Sequence, residues 1–148
     1  MNGLARDPGF FALLSGSHAR LLGRPLVPEG RDAVWLYEEA PFAVLAHDGS
    51  ADPRFVYANR TAQSCFGYGW AAFTALPSRL SAEAPHRASR RALLERVARE
   101  GFATGYRGLR VAASGRRFWI EDGTVWQLID VDGTVRGQAA WFARWHDA

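Results

Sequence analysis

Between Arg116 and Trp145 the chain reads RRFWIEDGTVWQLIDVDGTVRGQAAWFARW, and no other stretch restricts the possible folds as much. Two runs rich in β-branched and aromatic residues meet at Asp130-Val131-Asp132-Gly133, where glycine can take the positive φ of a tight hairpin turn. Along the second run Val135, Gly137, Ala139 and Trp141 fall on one face, and Arg136, Gln138, Ala140, Phe142 and Arg144 on the other. A strand of that period needs cover on at least one side, which the upstream sequence must supply.

Upstream, Pro8 to Leu22 has Phe10, Leu13, Leu14, His18, Leu21 and Leu22 at helical spacing, ended by Gly23-Arg24-Pro25. Asp32 can cap a second helix, Ala33 to Glu39, which stops before Pro41. Phe42 to His47 and Arg54 to Ala58 read as a strand pair around the turn residues Asp48 to Pro53. Asn59 is placed to cap a helix through Phe66, and Trp70 to Leu76 is a short helix stopped by Pro77. A longer helix starts near Glu83 and runs to Glu100, with Leu93, Leu94 and Val97 as a narrow apolar side, before a strand at Tyr106 to Val111. Strands segregated in this way predict an α+β fold: a five-stranded antiparallel sheet, helices on one face and extra N-terminal helices. Residues 1–40 read as a helical extension and 41–148 as the domain proper.

At 148 residues, 48% of them hydrophobic and 22% charged, the chain can bury one core. No apolar run approaches the roughly 20 residues that cross a bilayer, and Leu4 to Leu14 is too short and polar for a secretory signal. A cytoplasmic protein without membrane contact is expected. The single cysteine, Cys65, excludes an intrachain disulfide and any two-cysteine metal site. The net charge of +3 comes from arginine alone, since lysine is absent. Its densest cluster, Arg87, Arg90, Arg91, Arg96 and Arg99, alternates with Glu83, Glu95 and Glu100 like a solvated helix face, so nucleic acid is not an expected partner.

The order of elements, the Asn after the second strand, the Phe-Gly-Tyr closing the next helix and the Asp-Gly hairpin together resemble a PAS fold. More narrowly, RFVYAN, LPSRLSAE, YRGLRVAASGRRFWIED, VWQLID and GQAAWF resemble the MEKHLA domain, a PAS-like module of stand-alone bacterial proteins and of plant class III homeodomain-leucine zipper regulators. The resemblance implies a sensory or interaction module in which the sheet cups a small-molecule cavity beneath short helices. It places Asn59 in a structural, helix-capping role. With no second domain for output, a signal is expected to leave through a protein partner or a homodimer.

The large aromatics of the hairpin with few polar groups suggest a small organic ligand held by Trp119, Glu121, Trp126 and Gln138, with Arg79 near the mouth. His86 and Arg90, spaced i, i+4, face either an anionic ligand or solvent, and the charge pattern of the helix favours solvent. His86 is also the one histidine placed for a haem, which is not expected. Cysteine-adduct flavin photochemistry is not expected, because Ser78 stands where the resemblance would put the thiol. Four scattered histidines and no phosphate loop give no catalytic residues and no metal set. An enzyme would have to use Glu121 in an aromatic pocket, and the non-enzymatic reading is preferred. The rival to a ligand sensor is a ligand-free interaction or dimerisation domain with a packed interior. The dimer would join the first helix to the apolar strip Val135, Ala139, Trp141 and Trp145, with cover inside one chain as the competing arrangement.

Overall fold

The computed structural model describes residues 3–82 and 87–148. In order these form α1 (Pro8–Leu22), α2 (Ala33–Glu38), β1 (Ala43–Asp48), β2 (Phe55–Ala58), α3 (Arg60–Phe66), α4 (Trp70–Phe73), a 3-10 turn (Ser78–Ser81), α5 (Arg87–Glu100), β3 (Phe102–Val111), β4 (Arg117–Ile129), β5 (Val135–Phe142) and β6 (Arg144–Asp147). The fold is α+β, with antiparallel strands in the order β2-β1-β5-β4-β3. A sixth strand arises because the chain bends at Ala143. Beyond the bend β6 pairs with Phe118 to Glu121 of β4, whereas β5 pairs with Thr124 to Ile129.

One face of the sheet carries α3, α4 and α5. Ala43, Leu45, Phe55, Phe118, Ile120 and Phe142 bury there against Ala62, Cys65, Phe66 and Phe73. The other face is covered by α1. Asp7 accepts from the Phe10 amide at 2.7 Å, Pro8 opens the helix, and Gly23 closes it at φ 73° with its N–H donating to Ala19. Leu14 then buries completely among Trp126, Leu128 and Ala139. Two polar ties set the register of helix on sheet. Ser17 Oγ donates to the Ile129 carbonyl at 3.0 Å and accepts from its amide at 2.9 Å, and Trp126 Nε1 donates to the Leu14 carbonyl at 3.2 Å.

The strip expected to join two copies is therefore divided within one chain. Ala139 and Trp141 pack into the core that α1 covers, Val135 stays exposed, and Trp145 lies beyond the bend, edge-on to Phe142 at 5.5 Å. No helix among the described residues is long and apolar enough to cross a membrane.

His18 sits at this junction as a neutral ring. Its Nδ1–H donates to the Arg24 carbonyl at 2.9 Å, and Nε2 accepts from Trp141 Nε1 at 3.2 Å, with Trp126 edge-on at 4.9 Å. Burial pushes its pKa below 6.5, the Arg24 bond opposing. A depressed folded-state value means that the unfolded chain takes up the proton first. Stability from this group is complete above the unfolded pKa and declines as pH falls below it. We expect the melting temperature to hold above about pH 7 and to decline between about pH 6.5 and pH 5, with a shallower decline in His18→Gln. A flat profile over that interval would refute the neutral ring.

Candidate functional site

The main cavity lies between the α5 face of the sheet and the 3-10 turn, with a volume of about 60 Å³. Its apolar wall comes from Leu45, Phe55, Phe66, Leu93, Leu94, Ile120 and Phe142 among others; its polar side chains are those of His47, Ser78, Ser81, Arg90, Tyr106, Arg110, Thr124 and Gln138.

Each polar group arrives by a local rule. Arg90 lies on the same helical stripe as Leu93, Leu94 and Val97, so it turns inward with them and is 9% exposed. Its Nη2 donates to Ser78 Oγ, and the turn that carries Ser78 is held by the Ser78 amide on the Pro53 carbonyl at 2.7 Å and by Ser81 Oγ on the Ser78 carbonyl at 2.7 Å. Tyr106, Gly108 and Arg110 alternate along β3. The Tyr106 ring folds over Gly108, where an added Cβ would come within 1.9 Å of its hydroxyl, and the Arg110 guanidinium lies 5.3 Å from that ring.

His47 and Gln138 are cross-strand partners on β1 and β5. Their approach requires Gly137, whose φ of 152° and position against the His47 carbonyl, 2.1 Å from a hypothetical Cβ, exclude other residues. His47 Nδ1–H donates to the Asp48 carbonyl at 2.8 Å, and Gln138 Nε2 donates to the Leu94 carbonyl at 3.1 Å. That leaves His47 Nε2 and Gln138 Oε1 buried with no partner among the described residues.

The electrostatics are one-sided. Burial lowers Arg90 to about 10, with the neighbouring charge of Arg110 adding to the effect. Arg110 is lowered by burial, while Tyr106 opposes. His47 is lowered by burial, its bond to Asp48 opposing and the charge of Arg90 adding. No carboxylate among the described residues pairs with Arg90 or Arg110. Asp52, whose charge reaches Arg90, is itself paired with Arg79 at 3.1 Å.

Of the residues expected around a ligand, only Gln138 lines this cavity. Trp126 is fully buried on the opposite face beneath α1. Trp119 and Glu121 lie outside the cavity: the Arg107 guanidinium stacks 3.9 Å from the Trp119 ring and pairs with Glu121 at 2.6 Å. Arg79 is a surface ion pair beside the lining Ser78. His86 and the helix start expected near Glu83 lie outside the described residues. Asn59 caps α3 from a fully buried position. Sequence reasoning missed Arg110 and read Arg90 as solvated. Their signals were the period-two YRGLR run and the spacing of Arg90 to Leu93, Leu94 and Val97.

A profile of the MEKHLA domain matches residues 9–147. Among solved structures, the PAS domain of a protein from Colwellia psychrerythraea superposes with a TM-score of 0.64 at 14% identity, over 76% of this chain and 90% of that one. The light-state dimer of the fungal blue-light photoreceptor Vivid gives 0.61 at 18%, over 91% and 95%. A LOV domain from a blue-light activated histidine kinase of Erythrobacter litoralis gives 0.59 at 19%, over 74% and 97%. At such identities the likeness is one of fold. No curated protein matches the sequence.

Proposed function

Since the chain belongs to the MEKHLA domain family and has a PAS-like fold, we propose that it is a signalling module that senses a small organic ligand in the cavity between sheet and α5. This reading rests on the polar lining. A protein that needed only a packed interior would not point two arginines, an unpartnered imidazole nitrogen and an unpartnered amide oxygen into one cavity, because each carries a desolvation cost. Output passes to a protein partner or a second copy, in the cytoplasm, and the chain acts without catalysis. Residues 1–40 serve in this reading as the cover of the 41–148 domain.

A flavin of the kind that LOV domains use does not fit the residues present. The cavity of about 60 Å³ is well below the roughly 300 Å³ at which pockets for molecules of that size begin. Cys65 belongs to the apolar core under α3, does not line the cavity, and has its thiol pushed up to about 12 by burial.

The small cavity also supports the rival, a ligand-free interaction domain. Mass spectrometry of the purified protein under native conditions, with a thermal-shift screen of small metabolites, separates them. The sensor reading expects a co-purifying molecule or a compound that raises the melting temperature by several degrees. Absence of both would leave the interaction domain.

A further inference from the structure

We infer that the cavity recognises a small hydroxycarboxylate, whose carboxylate is held by Arg90 and Arg110 and whose hydroxyl donates to His47 Nε2, the acceptor beside Gln138 Oε1. The inference rests on the sensor reading and names the class of its ligand.

The charged and acceptor groups of the cavity select that chemistry. Two arginines line one half-open cavity without a carboxylate among the described residues to balance them, so an anion entering between them offsets the repulsion between the two charges. The planar forks suit a carboxylate, which can accept two parallel N–H bonds from one arginine. A plain carboxylate leaves the acceptors unserved. His47 has its Nδ1 proton committed to the Asp48 carbonyl and Gln138 its amide protons directed at Leu94, so both offer lone pairs that call for a donor on the ligand. A hydroxyl serves His47 Nε2 with its one proton, whereas a second carboxylate would be repelled by both acceptors.

Size and polarity set the rest. At roughly 10–15 Å³ of cavity space per water-sized atom, about 60 Å³ holds about four to six non-hydrogen atoms, the scale of an acid of about two or three carbons. Leu45, Leu93 and Phe142 offer the hydrocarbon a dry wall. Ser78 Oγ accepts from Arg90, which leaves the serine proton free for the second carboxylate oxygen.

Isothermal titration and thermal shift with glycolate, lactate, propionate and inorganic phosphate, at ionic strength matched with sodium chloride, test the assignment. Lactate or glycolate is expected to bind at least about tenfold tighter than propionate, the factor that one lost hydrogen bond to buried acceptors implies. Arg110→Lys, which keeps the charge but loses the fork, is expected to bind at least about tenfold weaker while keeping the melting temperature of the free protein within a few degrees. If that variant fails to fold, His47→Phe, which removes an acceptor and no charge, is expected to abolish the preference for lactate over propionate. Equal binding of lactate and propionate overturns the hydroxyl assignment. Binding of phosphate alone, or of none of the four anions, overturns the hydroxycarboxylate. If an uncharged compound from the metabolite screen binds instead, the sensor reading stands and only this inference falls; if nothing binds, both fall.

Discussion

Replacing Asn59 by alanine is expected to lower the unfolding free energy by about 4 kcal/mol, because four hydrogen bonds worth about 1 kcal/mol each disappear inside the core. Its Oδ1 accepts from the amides of Val44 and Ala62, each at 3.0 Å, and its Nδ2 donates to the carbonyls of Leu36 and Phe42, each at 3.0 Å. One fully buried side chain thereby ties the end of α2, the start of β1 and the first turn of α3. Alanine leaves a gap lined by two amides and two carbonyls, and backbone groups without partners cost more than the bonds gained when they were made. Asn59→Asp retains the acceptor but sets a carboxylate against two carbonyl oxygens. Its loss should be comparable at pH 7 and smaller as pH falls and the acid becomes protonated. Urea unfolding with an unchanged m-value measures both, and a loss below about 1 kcal/mol for alanine would show that water replaces the side chain.

The same residue shows what the sequence discloses. Asn directly after an apolar strand and before a helical run is a cap by composition alone, as are Asp32 before α2 and Gly23 after α1, and boundaries marked in this way lie where the punctuation puts them. The site is less legible because its geometry depends on a bulge. Asp122 takes φ 53°, and the β3–β4 register slips between Tyr106 and Gly108, so the alternation along β4 reverses at Gly123. Phe118 and Ile120 point towards α3 before it; Val125 packs towards Val97 of α5 after it, and Trp126 faces α1. Period-two reasoning carried through Asp122 cannot place Trp126, and it groups Trp119 and Glu121 with a cavity they do not enter. Arginine raises a separate difficulty. Composition treats it as a surface residue, yet at Arg90 the helical stripe decides, and a charge on the apolar stripe of an amphipathic helix is the informative exception.

Leu14→Glu is expected to cost more than the Asn59 change. Truncating a buried leucine alone costs about 3 to 5 kcal/mol, and here the replacement carries a carboxylate into an apolar core, one turn from the neutral His18 ring. Leu14 has no exposed surface and fills the space between α1 and the sheet beside Trp126, Leu128 and Ala139. Its carbonyl accepts from Trp126, so the helix cannot shift outward to release the glutamate without breaking that bond and the Ser17 pair to Ile129. The expected result is a lower urea midpoint that does not depend on protein concentration, because the face belongs to its own chain. It should recover partly at acid pH, where a buried carboxyl with a raised pKa becomes neutral. Ala12→Glu, on the exposed side of the same helix, serves as the control and should change stability by no more than about 0.5 kcal/mol. A folded monomer of undiminished stability, obtained from a wild-type dimer, would instead mean that in solution α1 leaves its own sheet and covers that of a second copy.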